Sequence, residues 1–292
     1  DLVSYTPAGT GAVATTVQAK LRESVSVKDF GATGDGVTDD TAAVQAALDS
    51  GASHVSIPQG TYKISNTINI PSNISIKCDG TFTVTSTITA TPLFQAFSKT
   101  NIKWSGGTID ATAKPTFVGD FIYFNACTKV KIKDLNIIDT GVDRYPSGGI
   151  RTINGSKIMI SDVQMHNIGG LGLQTTGDTH SSFSNIYIEQ TTTRSALETN
   201  NGNHNTSTNC IIEASSTTAS ALSFNDKHSV CSNNSVTGGG YGITVGHPAP
   251  YEADYSTVTG NSIDSPALIG INIQASTGIS VTSNVVYNTP IG

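Results

Sequence analysis

Two interleaved repeats with one shared period constrain this chain more than any other feature. The first sets a short apolar–polar strand around Asn or Asp: KIKDLNI, MISDVQM, FSNIYI, TNCII, CSNNSV, VTGNSI and VTSNVV. Its anchors are Asp134, Asp162, Asn185, Asn209, Asn234, Asn261 and Asn284. The second runs between them as GGIRT, LGLQT, SALET, SALSF, YGITV and IGINI, anchored on Ile150, Leu173, Leu197, Leu222, Ile243 and Ile271. A common step of about two dozen residues is the mark of a coil repeated along an axis. One coil cannot bury its own inward side chains, so coils stack through parallel pairing at ~4.8 Å and share a continuous core. Asn and Asp suit a repeated corner because they accept left-handed dihedrals and bond to nearby backbone. A sandwich would show turn signals every ~8–12 residues with hairpin dipeptides, and these are sparse. The expected fold is all-β, a right-handed parallel β-helix, with its hand set by the crossover rule.

Composition agrees. Of 292 residues only 13% are charged, 37% are hydrophobic and 29 are glycine, which reads as strands and polar turns rather than a helical bundle. With 16 Lys+Arg against 22 Asp+Glu, the net charge of −6 argues against a phosphate-tracking nucleic-acid surface. No apolar run approaches a membrane span. Cys78, Cys127, Cys210 and Cys231 lie far apart with no CxxC, so they are expected as buried thiols rather than a zinc site or disulfide framework. Neither a metal nor a cofactor is expected.

The N-terminal part reads differently. Residues 1–24 form a lead-in with one short helical stretch at Val17–Leu21, and residues 25–292 form the β-helix domain, 25–60 as its cap and 61–292 as its coils. Val25 and Val27 alternate into Phe30, and GATGDGVTDDT supplies turn residues. Thr38, Asp39 or Asp40 then caps a helix with Ala43, Val44, Ala47 and Leu48 on its apolar face. That helix covers the first coil, and His54–Ile57 follows as a strand closed by Pro58, Gln59 and Gly60.

The run VSVKDFGATGDGVTDDTAAVQAAL (Val25–Leu48), followed by VSIPQGTYKIS, resembles the pectate-lyase-like β-helix superfamily. The lead-in YTPAGTGAVATTVQAKLRESVSVKDFGA is similar to the neck-to-body junction of bacteriophage tailspikes. The superfamily string is shared by epimerases, lyases and hydrolases, and the lead-in favours the tailspike. That resemblance implies a homotrimer on the virion tail, acting at the bacterial surface, that binds and cleaves capsule or O-antigen polysaccharide. One piece of a longer spike, without its virion-anchoring head domain, is also an expectation.

Counting from the second-series anchors, the next residue is polar in every coil: Arg151, Gln174, Glu198, Ser223, Thr244 and Asn272. The residue after it faces inward by strand alternation, and the third contributes Asn200 and Asn225. Glycan hydrolysis needs an acid and a base or nucleophile, and Glu198 with Asp226 is the expected pair. Their offset, about 11 Å between Cβ atoms from strand spacings, suits inversion better than retention. Asp178, Asn200, Asn225, Arg151 and His247 are expected to bind substrate, with Lys227 and His228 as binding residues or, in a polysaccharide lyase, as the proton-abstracting base. HPAPYEADY adds Tyr251 and Tyr255 as sugar platforms and Glu252 and Asp254 as further carboxylates. Asp143, Arg144 and Tyr145 are a candidate groove wall. A non-catalytic adhesin or structural spike segment is the third functional class. GDGVTDD reads as a structural turn rather than a calcium loop.

Overall fold

The computed structural model describes residues 3–84, 92–113, 119–139, 141, 148–248 and 252–289. Among these residues nine strands make the first face of a solenoid: Ile68–Asn69, Phe94–Phe97, Ile122–Asn125, Gly148–Ile153, Leu171–Thr176, Leu197–Asn203, Ser220–Lys227, Tyr241–Val245 and Ile269–Ile273. Each pairs in parallel with the next in chain order. The remaining strands of each coil form a second and a third face. These two faces belong to one sheet because Ser156–Ile168 and Ser182–Gln190 run through the corner between them. The chain is a right-handed parallel β-helix.

The second repeat is in register as its spacing predicts. Ile150 pairs with Leu173, Leu173 with Leu197, Leu197 with Leu222, Leu222 with Ile243 and Ile243 with Ile271. The small residue before each anchor has a physical cause. A Cβ on Gly172 would stand 2.6 Å from Ile188 Cγ2, and one on Gly242 would stand 2.3 Å from Ile263 Cγ2. The first face meets the third face there, and backbone must come close.

The first repeat mixes two positions, and this corrects the expectation that every anchor is a corner residue. Asp134, Asp162, Asn185 and Asn209 do adopt left-handed φ, but in later coils that conformation falls on Asn233, Gly260 and Ser283. Asn234, Asn261 and Asn284 come one residue after the bend and turn inward. Their carboxamide Oδ1 atoms accept the backbone N–H groups of Cys210, Asn234 and Asn261 one coil earlier, each at 2.9 Å. Their Nδ2 groups donate to the carbonyls of Ser207, Cys231 and Val258. The ladder satisfies corner backbone groups that neither sheet pairing nor water can reach.

At the N-terminal end, helix Thr41–Leu48 buries Val44, Ala47 and Leu48 over the first coil. Asp40 is its N-cap residue, yet its side chain accepts from Thr33 N and Gly34 N and so ties down the glycine-rich turn. Asp39 accepts from Thr41 N instead. Gln45 covers the open edge of the first face, accepting from Asn69 N at 2.8 Å and donating to Asn69 O at 3.0 Å. Asp35 accepts from Val37 N and Thr38 N, and these bonds hold its carboxyl down at about 2. The run Asp35–Asp39, expected as turn, pairs as a strand with Thr61–Ile64. The stretch Val27–Phe30 is a 3₁₀ turn rather than a continued strand, closed by a Ser26–Asp29 capping box. All four cysteines are buried free thiols.

The ladder gives a direct stability test. Asn261→Ala strands the N–H of Asn234 and the carbonyl of Cys231 in the interior. Each orphaned group costs about 1–3 kcal/mol, and chemical denaturation should show a loss of at least that size while the unaltered strands keep the far-ultraviolet spectrum.

Candidate functional site

Four residues of the polar column predicted on the first face line a groove of about 460 Å³, and the other two, Thr244 and Asn272, do not. Arg151, Gln174, Glu198 and Ser223 stand side by side on four successive rungs, each directly paired with the next. The column two residues further on adds Ile153, Thr176, Asn200 and Asn225, and His247 closes one end. Strand alternation is the cause: Thr152, Thr175, Thr199 and Phe224 lie between these columns and are buried.

Amides organise the carboxylate. Gln174 Nε2 donates to Glu198 Oε1 at 3.1 Å and Asn200 Nδ2 donates to the same oxygen at 2.6 Å. Asn225 Nδ2 donates to Asn200 Oδ1 at 2.8 Å and to Ser223 Oγ at 3.0 Å. Arg151 stands 3.8 Å from Asp120, whose carboxyl is pushed up to about 6 by burial against the opposing pull of Arg151 and Gly148 N. Arg151 Nε, Gln174 Oε1 and Asn225 Oδ1 are buried atoms without a hydrogen-bond partner among the described residues. The groove-facing side chains themselves are mainly amides, hydroxyls, one guanidinium and one carboxylate, the groups that bond to a hydroxyl-rich ligand.

Asp226 and Asp178 are not on that surface, which corrects the expected Glu198–Asp226 pair. Both are fully buried at the corner between the first and second faces. Asp178 accepts from Gly155 N at 2.6 Å and from the hydroxyl of Thr152. Asp226 accepts from Gly202 N at 2.7 Å and from Asn205 Nδ2 at 2.9 Å. Glycine one coil earlier makes the room: a Cβ on Gly155 would be 3.0 Å from Asp178 Oδ1, and one on Gly202 would be 2.6 Å from Asp226 Oδ1. Two Gly–Asp rungs therefore cap the corner as the asparagines do elsewhere.

The other predicted residues gather on the outside of this corner, apart from the groove lining. Lys227 pairs with Asp254 at 3.3 Å and Glu252 at 3.8 Å. Asp254 also accepts from Thr277 N, which holds its carboxyl below the usual range. His228 is sandwiched in an exposed stack of His180, His204, His228 and Tyr255, with ring centroids 5.1, 5.4 and 5.4 Å apart. The stack repeats at the coil period on left-handed residues, a signal present in the sequence and not used. Tyr251, Asp143, Arg144 and Tyr145 lie outside the described residues. Among the described residues no three His, Cys, Asp or Glu side chains are grouped to hold a metal ion, and no helix is long and apolar enough to cross a membrane.

Residues 24–220 match the model of the family described as rhamnogalacturonase A/epimerase, pectate lyase-like. The chain belongs to this family. Its relatives extend into phages and polysaccharide enzymes. A preneck appendage protein of Bacillus phage PZA is 53% identical over 49 residues, 17% of this chain and 6% of that protein, so the chain spans only a small part of the relative's length. A Geobacillus virus E2 structure, ORF18, superposes with a TM-score of 0.69 at 15% identity, covering 98% of this chain and 68% of that one. An iota-carrageenase complexed to iota-carrageenan fragments does so with a TM-score of 0.62 at 13% identity, covering 92% and 91%. At those identities the two superpositions establish the fold. The chain is thus a pectate-lyase-like β-helix, and the proteins it is similar to include phage proteins and polysaccharide-active enzymes.

Sequence reasoning also missed a set of outward residues on the third face. His166 Nδ1 is 3.4 Å from Glu189 Oε2, Glu189 is paired in register with Glu213, and Tyr187 Oη donates to Glu213 Oε2 at 3.0 Å. The same period, applied to the strands after Asp162, Asn185 and Asn209, aligns them.

The buried corner carboxylate predicts a pH effect of definite sign. Desolvation raises Asp226 to about 6, against Asn205 and Gly202 N, which lower it. The folded state then holds this proton more tightly than the unfolded chain, so the associated stability is complete below the unfolded value near ~3.9 and is lost as pH rises through about 6. In urea titrations across that window, Asp226→Asn should remove a decline of at most about 3 kcal/mol.

Proposed function

We propose that this protein is a phage tailspike depolymerase that binds and hydrolyses a bacterial surface polysaccharide, capsule or O-antigen, as part of a homotrimer on the virion tail. The observation that carries the reading is the first-face groove, with one amide-held carboxylate in a lining of polar side chains. A glycan lying along the axis meets one rung about every 4.8 Å. Gln174, Asn200 and Asn225 supply its hydrogen bonds. Glu198 donates a proton to the leaving glycosidic oxygen. With Asp226 enclosed, His247 at the groove's end takes the proton of the attacking water, which adds to the anomeric carbon and leaves a new reducing end. Phage and carbohydrate-enzyme relatives support this assignment of class.

One observation favours a second reading. Arg151 lies in the same groove with an unpartnered Nε, and a guanidinium suits the carboxylate of a uronic acid. In a lyase Arg151 would neutralise that carboxylate while His247 removes the adjacent proton, and elimination would expel the glycosidic oxygen and leave an unsaturated sugar.

Digestion of host polysaccharide separates the classes. Reducing ends without the ultraviolet band of an unsaturated uronate are the expected result; both signals together assign a lyase, and neither assigns an adhesin. Glu198→Gln should reduce turnover by about 10²–10⁴-fold without altering thermal unfolding, and unchanged turnover removes Glu198 from the mechanism.

A further inference from the structure

A second and larger hollow, about 700 Å³, runs along the corner where the second face turns into the third. Its wall is one side chain per rung: Asn136, Gln164, Tyr187 and Ile211, paired in register across four successive strands. Ile211 is 49% exposed on the flank of a rod whose other isoleucines are mostly interior. Asn136 Oδ1 is buried and without a hydrogen-bond partner among the described residues.

Tyr187 is held in place on two sides. Its hydroxyl donates to Glu213 Oε2 at 3.0 Å, and the His166 ring lies 5.2 Å away, itself beside Glu189. Burial, followed by Glu213 and Glu189, pushes the phenol up to about 12, so it stays a donor at any physiological pH. The ring is therefore a fixed platform at the middle of the hollow. Amides at one end, an aromatic ring and an aliphatic side chain at the other match a sugar chain, whose hydroxyls need amide partners and whose C–H faces pack on rings.

Charge narrows the ligand. The charged side chains lining this hollow are Asp134 and Asp162. Asp134 pairs with Lys133 at 2.9 Å and Asp162 accepts from Asn185 Nδ2 at 3.0 Å. With Lys133 and Lys131 balancing these carboxylates and no cation in the lining itself, a uronate or sulfated polymer finds no charge partner here, whereas a neutral or N-acetylated sugar needs none. The first-face groove differs, because it holds Arg151.

We infer that this hollow is a second carbohydrate-binding groove, which takes a neutral or N-acetylated oligosaccharide and tethers the polymer while the first-face groove acts on it. It rests on the glycan reading of the protein and adds a separate site to it. Tethering raises the local concentration of chain at the first groove without new contacts there.

Isoleucine methyl groups report on the two sites separately, since Ile153 lines the first groove and Ile211 the second. The full chain carrying Glu198→Gln, labelled at isoleucine methyls, is titrated with laminarihexaose, chitohexaose and hexagalacturonate. The expected result is a saturable shift of the Ile211 methyl with a neutral hexasaccharide. Tyr187→Ala should weaken it by about tenfold, while Tyr187→Phe, which keeps the ring, should retain most of it. The dispersed methyl spectrum verifies that each variant is folded. A shift of Ile153 alone overturns the second groove and leaves the first standing; no shift at either methyl overturns both. Preference for hexagalacturonate at Ile211 overturns the assigned ligand class. An Ile211 shift that depends on protein concentration without sugar gives the hollow to a second copy of the chain and overturns the proposal.

Discussion

Satisfying the corners is what allows this rod to exist. Sheet pairing provides partners for the strands, but each coil turns at its corners, and every turn leaves backbone N–H and C=O groups pointing into a stacked interior. Buried polar groups without partners are costly, and a solenoid repeats that cost coil after coil. The chain answers with inward polar side chains directed at the coil before: Asn234, Asn261 and Asn284 at one corner, and Asn205, Ser229 and Ser256 at another, where Ser181 N bonds to Asn205 Oδ1 and Ser229 N to Ser256 Oγ. Asp178 and Asp226 do the same work opposite Gly155 and Gly202. Register follows from these ladders, and register is what places the groove residues one above another.

The site is a consequence of that stacking. Parallel strands held in register present the same outward position on each rung, so a polar choice repeated at the period becomes a continuous wall. On the first face it yields a single carboxylate steadied by amides from two rungs, beside an arginine and a histidine. On the third face it yields a column running from amide to ring to aliphatic side chain. The two walls differ in charge although they are built by the same rule, and the rule explains how one rod can hold more than one surface for a long polymer.

Much of this was legible in the sequence. The second repeat gave its register directly, because an aliphatic anchor preceded by Gly or Ala marks where backbone approaches backbone. Four of its six polar positions, Arg151, Gln174, Glu198 and Ser223, line the groove, whereas Thr244 is buried and Asn272 lies outside that lining. Asp226 was misplaced although the alternation was available: Leu222, Phe224 and Asp226 are two apart and share the inner side, and each is buried. A carboxylate at a strand's end suggests chemistry, but that inward parity, together with Gly202 one coil earlier, tells that it is enclosed. The first repeat misled differently, since corner Asn and ladder Asn are the same residue type one position apart. His166, Tyr187, Glu189 and Glu213 escaped because outward positions were counted on one face of three.

A structure of the protein with an oligosaccharide cut from its host's surface polysaccharide tests the central claim most directly. The account predicts sugar rings lying parallel to the rod axis across Gln174, Glu198 and Ser223, with the Glu198 carboxyl against a glycosidic oxygen. Sugar bound only around Lys227, His228 and Tyr255, with the first-face groove empty, would contradict it.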